Sequence, residues 1–427
     1  MPAHAREGRS IGWTTVLSFL LVACLPPAAQ ADTHLVVVTS YPEDLTTRFE
    51  AAFERLHPDI DLQIVWKQSR DAAALLDGAG HGGADVYWAP SLDNFPRLAA
   101  RGAFRPIAVD RHVLPAMLGR QPISDPLDRY QAFEVAGYGI VYSPERLRDA
   151  GLPVPRDWRD LTMAGWSGRL VVPQAGRVGF SAALYDVVLQ SEGWAVGWAT
   201  IAEMAGNADF ATNGSQPTSA VQEGRAVASP TIDFFAASAK ANGAPVDFVY
   251  PKATAFLPAW IAVLVDAPHP AAADAFVSFA LSAEGQRLVA HADIGRVPVR
   301  ADVTDPRIAE TLAEVTFAYD FDLGRARRNA VVDLFEVMVV EPHDRAVSIW
   351  RRLHGLEERQ RSRPDERVAA AVARGRAAAG LVPVSADEAA QIGRTGADDA
   401  TRAAWRSAIG RALDEAEAAL TAGEGVP

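Results

Sequence analysis

Residues 248–290 read FVYPKATAFLPAWIAVLVDAPHPAAADAFVSFALSAEGQRLVA, and the order of features in them decides the architecture. A small-residue and proline segment runs through Pro258, and the apolar strand Ile261-Ala262-Val263-Leu264-Val265 follows. Ala267-Pro268-His269-Pro270 makes a turn, and a long helix is predicted over 271–290. In it Ala275, Phe276, Phe279 and Leu281 recur at the three-to-four spacing that packs one face on a core. Ser282 is placed to cap a restart of that helix ahead of Glu284-Gly285-Gln286.

Working outward, 427 residues predict two or three domains rather than one small core. Apolar residues make up 49% and charged residues 22%, as in a folded globular chain. The formal charge of -12 argues against a nucleic-acid partner, which would need a basic face. The single cysteine, Cys24, lies in the N-terminal apolar segment, so no disulfide or thiol chemistry is expected in the body. Arg6 and Arg9, an apolar run over 11–25 and the small-x-small site Ala29-Gln30-Ala31 read as a signal peptide over 1–31, cleaved before Asp32. Leu21-Val22-Ala23-Cys24 fits a lipoprotein signal as the alternative; either exports the chain to the periplasm. Gly8-Arg9-Ser10-Ile11-Gly12 matches a nucleophile elbow in form only, since it follows no strand.

The body opens with a strand at Leu35-Val36-Val37-Val38, a helix with Leu45, Phe49, Ala52, Phe53 and Leu56 on one face, and a second strand over 61–66. Strand, helix, strand implies a parallel crossover, and ligands of such sheets lie beyond the strands' carboxyl ends. Ser40 and Tyr41 are therefore candidates, with capping of the next helix as the other role for Ser40. Ala84-Asp85-Val86-Tyr87-Trp88 is a third strand, and Ser91 leaves it at the same end. Gly78 to Gly83 lacks the Lys-Ser/Thr of a phosphate loop. Further on, strand Leu170-Val171-Val172 ends in a loop with Arg177, Gly179 and Ser181 at the start of a helix. There backbone N–H groups, a hydroxyl and a guanidinium would suit an anion; a capped surface helix with a solvated arginine is the alternative. Trp194 and Trp198, four apart, read as core. Thr212, Ser215 and Thr231 offer neutral hydrogen-bonding groups at further strand ends, and Tyr250 joins the candidates on the return segment.

Several of these stretches together resemble the bacterial extracellular solute-binding proteins of ABC importers. They are Asp85-Val86 with Trp88, Pro90 and Ser91; Gly137 to Glu145; Asp157-Trp158-Arg159-Asp160-Leu161; the APHP turn with the LSAEGQ helix; and Gly295 to Arg300. The resemblance covers about 33–300 and is strongest to the branch with ferric-ion, thiamine, phosphonate and phosphoglycerate binders. It implies an α/β, two-lobe periplasmic-binding-protein type II fold with a C-terminal helical extension. Lobe 1 would comprise 32–136 plus 260–320, lobe 2 137–259, and the extension 321–427. The family places a ligand contact just after the strand that ends near Ser91, and gives Gly137 and Gly139 the role of letting a crossing strand bend. It implies a small-molecule ligand, a permease and an ATPase as partners, or a membrane sensor kinase in regulatory relatives. Ferric binders of this branch commonly use two adjacent tyrosines; no Tyr-Tyr pair occurs here, and Arg177, Ser181, Ser40 and Ser91 suit an oxyanionic solute such as a phosphate ester better.

In the extension, Val331, Val332, Leu334, Phe335, Val337 and Met338 predict one buried helix, and 346–358 a second with Trp350 and Leu353 inward. Residues 359–363 read as a solvated turn, and 368–379 and 401–420 as Ala-rich helices. This piece would dock on the first lobe or serve as a partner surface. No catalytic residue, metal site or cofactor is expected: the nine histidines are scattered without a His-Glu-x-x-His, and His81-Gly82-Gly83 has no nucleophile to serve. The chain reads as a binder, not an enzyme.

Overall fold

The computed structural model describes residues 33–118, 121–314 and 317–426. The signal peptide expected over 1–31, with its Cys24 and Ala31 alternatives, lies outside them. The strands in chain order are β1 (Thr33–Thr39), β2 (Ile60–Trp66), β3 (Val86–Ala89), β4 (Phe104–Arg105), a small hairpin of β5 (Met117–Leu118) and β6 (Gln121–Pro122), and β7 (Gln131–Tyr142). They continue as β8 (Leu170–Pro173), β9 (Ala208–Ala211), β10 (Ala228–Ile232), β11 (Asp247–Val249), β12 (Phe256–Leu264) and β13 (Val297–Pro298). Apart from the hairpin they form one sheet along the path β2-β1-β3-β12-β7-β10-β8-β9, with β11 and β13 also on β7 and β4 on β12.

Strand β7 belongs to both halves. Gln131 to Gly137 runs antiparallel to β12, and Tyr138 to Tyr142 antiparallel to β10. The buried apolar side chains divide at the same place. Phe49, Trp88, Phe133 and Phe276 belong to one cluster, while Tyr138, Trp158, Tyr185 and Trp198 belong to another. Gly137 and Gly139 sit at the passage, but neither has a positive φ. A Cβ at Gly137 would collide with the rings of Phe256 and Tyr250, and one at Gly139 with the Phe248 ring and the Val249 carbonyl. Close approach of neighbours requires glycine here.

The opening stretch folds as read, with a break. One helix spans Pro270–Ala280 and the next Ala283–Val289, and the Ser282 hydroxyl accepts the Gly285 N–H at 3.2 Å. Gln286, fully buried, donates to the Phe133 carbonyl at 2.8 Å and accepts from Val299 N–H at 2.9 Å, tying this helix to β7 and to the segment after β13. Asp85 holds structure in the same way, accepting the N–H of Val36 at 2.9 Å and of His269 at 2.6 Å. The motif residues thus satisfy buried backbone groups that would otherwise lack partners.

The extension consists of helices Phe321–Phe335, His343–Ser362, Glu366–Ala379, Ala386–Ile392 and Asp399–Glu424, with one π-helical turn at Glu336–Val340. Its apolar packing is not on the first lobe. Its apolar faces join the core of the second, against helices Ser181–Glu192 and Trp194–Gly206, with Phe335 stacked on Tyr185 at 4.6 Å and Trp350 filling the space a Cβ at Gly206 would need. Those two helices have apolar outer faces, so they need a cover. Residues 359–362 continue helix His343–Ser362 instead of turning, and the Arg359 guanidinium donates to the Val426 carbonyl.

Candidate functional site

Two places in the sheet reverse the direction of winding. In the first lobe the chain goes from β1 to β2 on one side and then to β3 on the other; in the second it goes from β8 to β9 and then to β10 beyond β8. Loops at such reversals part and leave a crevice beyond the strand ends. The first-lobe crevice is bordered by Ser40, Tyr41 and Ser91, the second by the loop Gln174 to Phe180 and by Ile232 to Phe235.

Arg296 joins the two. Its guanidinium lies 5.1 Å from the centre of the Tyr41 ring, at the end of β1, and 4.2 Å from that of Phe234, just past the end of β10. It is ion-paired with Glu134, a carboxylate of β7 that also accepts the Tyr41 hydroxyl at 2.8 Å. Alongside, Asp233 accepts the Gly137 N–H at 2.7 Å and the Tyr250 hydroxyl at 2.9 Å, so it holds the crossing strand and the return segment together. Burial pushes the Asp233 carboxyl up from its ordinary 3.8 to about 7, against the lowering effect of bonds from Gly137, Tyr250 and Phe234. Burial also raises Glu134, with Arg296 opposing. Among the described residues Glu134 Oε2 and Asp233 Oδ1 have no hydrogen-bond partner, which suits a proton held among these carboxyls near neutrality.

This arrangement carries a pH dependence. A carboxyl whose folded pKa is raised contributes stability that is complete below about pH 4 and is lost as pH climbs to about 7. Asp233→Asn removes that titration, with Glu134, Arg296 and Tyr250 still facing the position. Urea unfolding from pH 4 to 8 is expected to show wild type losing up to about 1.4 kcal/mol per pH unit relative to the variant across that window. A difference that does not move with pH would mean that Asp233 is ionised throughout.

The candidates read from sequence separate by position. Ser40 is partly exposed and, with Trp66, Gln68, Ser69, Arg70 and Asp71, lines an open pocket of about 560 Å³. It caps nothing: Thr39 Oγ1 takes the Tyr41 N–H, and Pro42 is the N-cap of helix Glu43–Leu56. Arg177 and Gly179 are exposed on the loop after β8, and no carboxylate among the described residues pairs with Arg177. Ser91 borders the first crevice but is buried, its hydroxyl hydrogen-bonded to the Tyr87 phenol.

The rest bond within the protein. Tyr41 is fully buried on Glu134, so it supports Arg296. Ser181 is buried too, its hydroxyl donating to the carbonyls of Gln174 at 2.9 Å and Val178 at 2.6 Å, which closes the loop. Thr231 lies inside β10 with no exposure. Thr212 and Ser215 are exposed past β9, one strand away from the reversal, where their hydroxyls bond Gln216 and Asn213. Tyr250 serves Asp233. The residues missed were Glu134, Asp233 and Arg296. A single carboxylate inside the apolar run of β7 was the available signal, since a charge there needs a partner.

Residues 91–317, just over half of the chain, match the family of bacterial extracellular solute-binding proteins. The chain belongs to that family. Phosphoglycerate transport regulatory protein PgtC of Salmonella typhimurium is 30% identical over 233 residues, 53% of this chain and 58% of that protein, and the Salmonella typhi protein matches equally. The solute-binding chain thus aligns with less than two thirds of the length of these relatives. Among solved structures, AfuA of Actinobacillus pleuropneumoniae with exogenous fructose-6-phosphate bound is similar with a TM-score of 0.56 at 18% identity, covering 72% of this chain and 99% of that one. Iron-bound HitA of Pseudomonas aeruginosa gives 0.54 at 18%, covering 64% and 89%, and the apo ferric ion-binding protein A of Pasteurella haemolytica 0.58 at 14%, covering 71% and 96%. At these identities the likeness carries the fold, a two-lobe periplasmic-binding-protein fold to which this chain adds its helices. Among the described residues no helix is long and apolar enough to cross a membrane, and no three His, Cys, Asp or Glu are grouped to hold a metal ion.

Proposed function

We propose that this protein works in the periplasm, captures a small oxyanionic organic solute, a phosphate ester or a close relative of one, between its two lobes, and passes it to an ABC permease with its ATPase. The observation that carries this reading is Arg177, exposed on the second-lobe loop at a winding reversal with no carboxylate beside it among the described residues. Arg296 lies between the two reversals, its charge balanced by Glu134. Guanidinium groups match phosphate and carboxylate oxygens with paired N–H donors. The kinship with a phosphoglycerate transport regulatory protein supports the same ligand chemistry. It also supports a second reading, in which the loaded protein signals to a membrane sensor kinase.

A thermal-shift and calorimetry panel on the chain without residues 1–31 tests the ligand class. It includes 3-phosphoglycerate, sugar phosphates, phosphonates, carboxylates, sugars, thiamine and ferric citrate. A true ligand at a hundred times its Kd adds about 2.7 kcal/mol, a clear rise in Tm. A phosphate ester is expected to give it, and Arg177→Ala to weaken that ligand at least tenfold, about 1.4 kcal/mol, with the fold unchanged. A rise with ferric citrate alone would replace the oxyanion reading by an iron one. No rise at all would leave a protein partner as the occupant.

A further inference from the structure

The helix Phe321–Phe335 begins beyond the segment that matches the family, yet it borders the crevice. Arg327 pins it to the second lobe through an ion pair with Asp186. Val332 Cγ1 lies 3.3 Å from where a Cβ of Gly176 would stand, so the helix runs beside the loop that carries Arg177. Arg325 and Arg328, three apart, share one face of it. That face meets the other lobe: Arg325 Nε is 3.9 Å from Asp93 Oδ1, and Arg328 Nη1 is 3.8 Å from Asp93 Oδ2. Asp93 follows Ser91 by two residues on the loop that leaves β3, at the first winding reversal.

These pairs are too long for hydrogen bonds and half-exposed, at 39% and 54% for the arginine side chains and 45% for the aspartate. Arg325 also pairs with Asp322 on its own helix. Behind them the Tyr138 phenol of β7 is 1% exposed. Burial pushes that phenol up, and Arg328 is close enough to pull it partly back. Two guanidinium groups thus face the crevice from a helix outside the stretch that matches the family, reaching the first lobe only through the long pairs with Asp93.

We infer that Arg325 and Arg328 form an additional wall of the ligand site and bind the second anionic group of a ligand that has two, a phosphoryl and a carboxylate a few carbons apart. This inference rests on the oxyanion reading above. Asp93 neutralises the pair in the empty site and competes with the ligand for it.

The test is calorimetry on the full chain without residues 1–31, comparing 3-phosphoglycerate with glycerol 3-phosphate, which lacks the carboxylate. Wild type is expected to prefer phosphoglycerate. The double variant Arg325→Gln/Arg328→Gln should bind phosphoglycerate at least about tenfold more weakly and glycerol phosphate nearly as before, because charged hydrogen bonds of this kind contribute on that scale. Asp93→Asn should tighten phosphoglycerate. Both substituted arginines are exposed, and an unchanged Tm without ligand separates lost contacts from lost fold. If wild type prefers phosphoglycerate and the double variant retains that preference, or loses both ligands equally, the inference fails and the oxyanion reading stands. If wild type favours glycerol phosphate, the second anionic group is wrong. Binding of neither compound, with none by any other oxyanion of the panel, overturns both.

Discussion

Replacing Asp186 by alanine is expected to cost about 3–5 kcal/mol of folding stability, because it leaves the Arg327 guanidinium buried without its counter-charge. Both side chains are 3% exposed. Asp186 also accepts from Gln190 Nε2 at 2.7 Å and is hydrogen-bonded to the Tyr319 hydroxyl, so one carboxylate holds three elements together. Trp194 lies over the guanidinium at 5.1 Å, which helps keep it from water. Urea unfolding measures the loss, and amide exchange should report it first along Phe321–Phe335. Asp186→Leu combined with Arg327→Met replaces the ions by apolar groups of similar size and is expected to recover most of the stability. A cost below about 1 kcal/mol for the single change would mean that the pair is solvated.

Glu134→Gln is expected to move stability and affinity in opposite directions. Glu134 is 1% exposed, pairs with Arg296 and takes the Tyr41 hydroxyl. The amide keeps the shape and an acceptor for Tyr41 but leaves the Arg296 charge uncompensated, at a cost of about 3 kcal/mol without ligand. The same uncompensated charge lies between the two winding reversals, so a phosphate ester should bind roughly tenfold more tightly, a gain of about 1.4 kcal/mol. Denaturation without ligand and calorimetry with it read the two effects separately. Unchanged affinity would remove Arg296 from the ligand site; unchanged stability would contradict its dependence on Glu134.

The fold was legible because its signals are local. Apolar runs marked β1, β3, β7 and β12, Ser282 marked the break between two helices, and Pro268 and Pro270 marked the turn. The motif words led to the family because Asp85 and Gln286 each satisfy backbone groups far away in sequence, and few other residues fit. The site was less legible, since hydroxyls at strand ends look alike until their partners are seen. Ser181 and Thr212 read as ligand contacts, and their hydroxyls bond groups of their own turns. Glu134, Asp233 and Arg296 escaped notice because 99 residues separate Glu134 from Asp233 and a further 63 separate that from Arg296, with only tertiary structure to unite them. The side of the sheet on which the extension docks was equally invisible. An apolar helix face states that it needs a cover, not which neighbour provides it.

The helical block and the second lobe share one buried core, so nothing between them can slip. Any swing about β7 therefore carries the block along as a pointer carries its tip. A small rotation at the pivot becomes a displacement that grows with distance from it, greatest on the outward faces of Glu366–Ala379 and Asp399–Glu424. A membrane component that grips those faces could tell a loaded protein from an empty one by where the tip stands, without ever touching the solute.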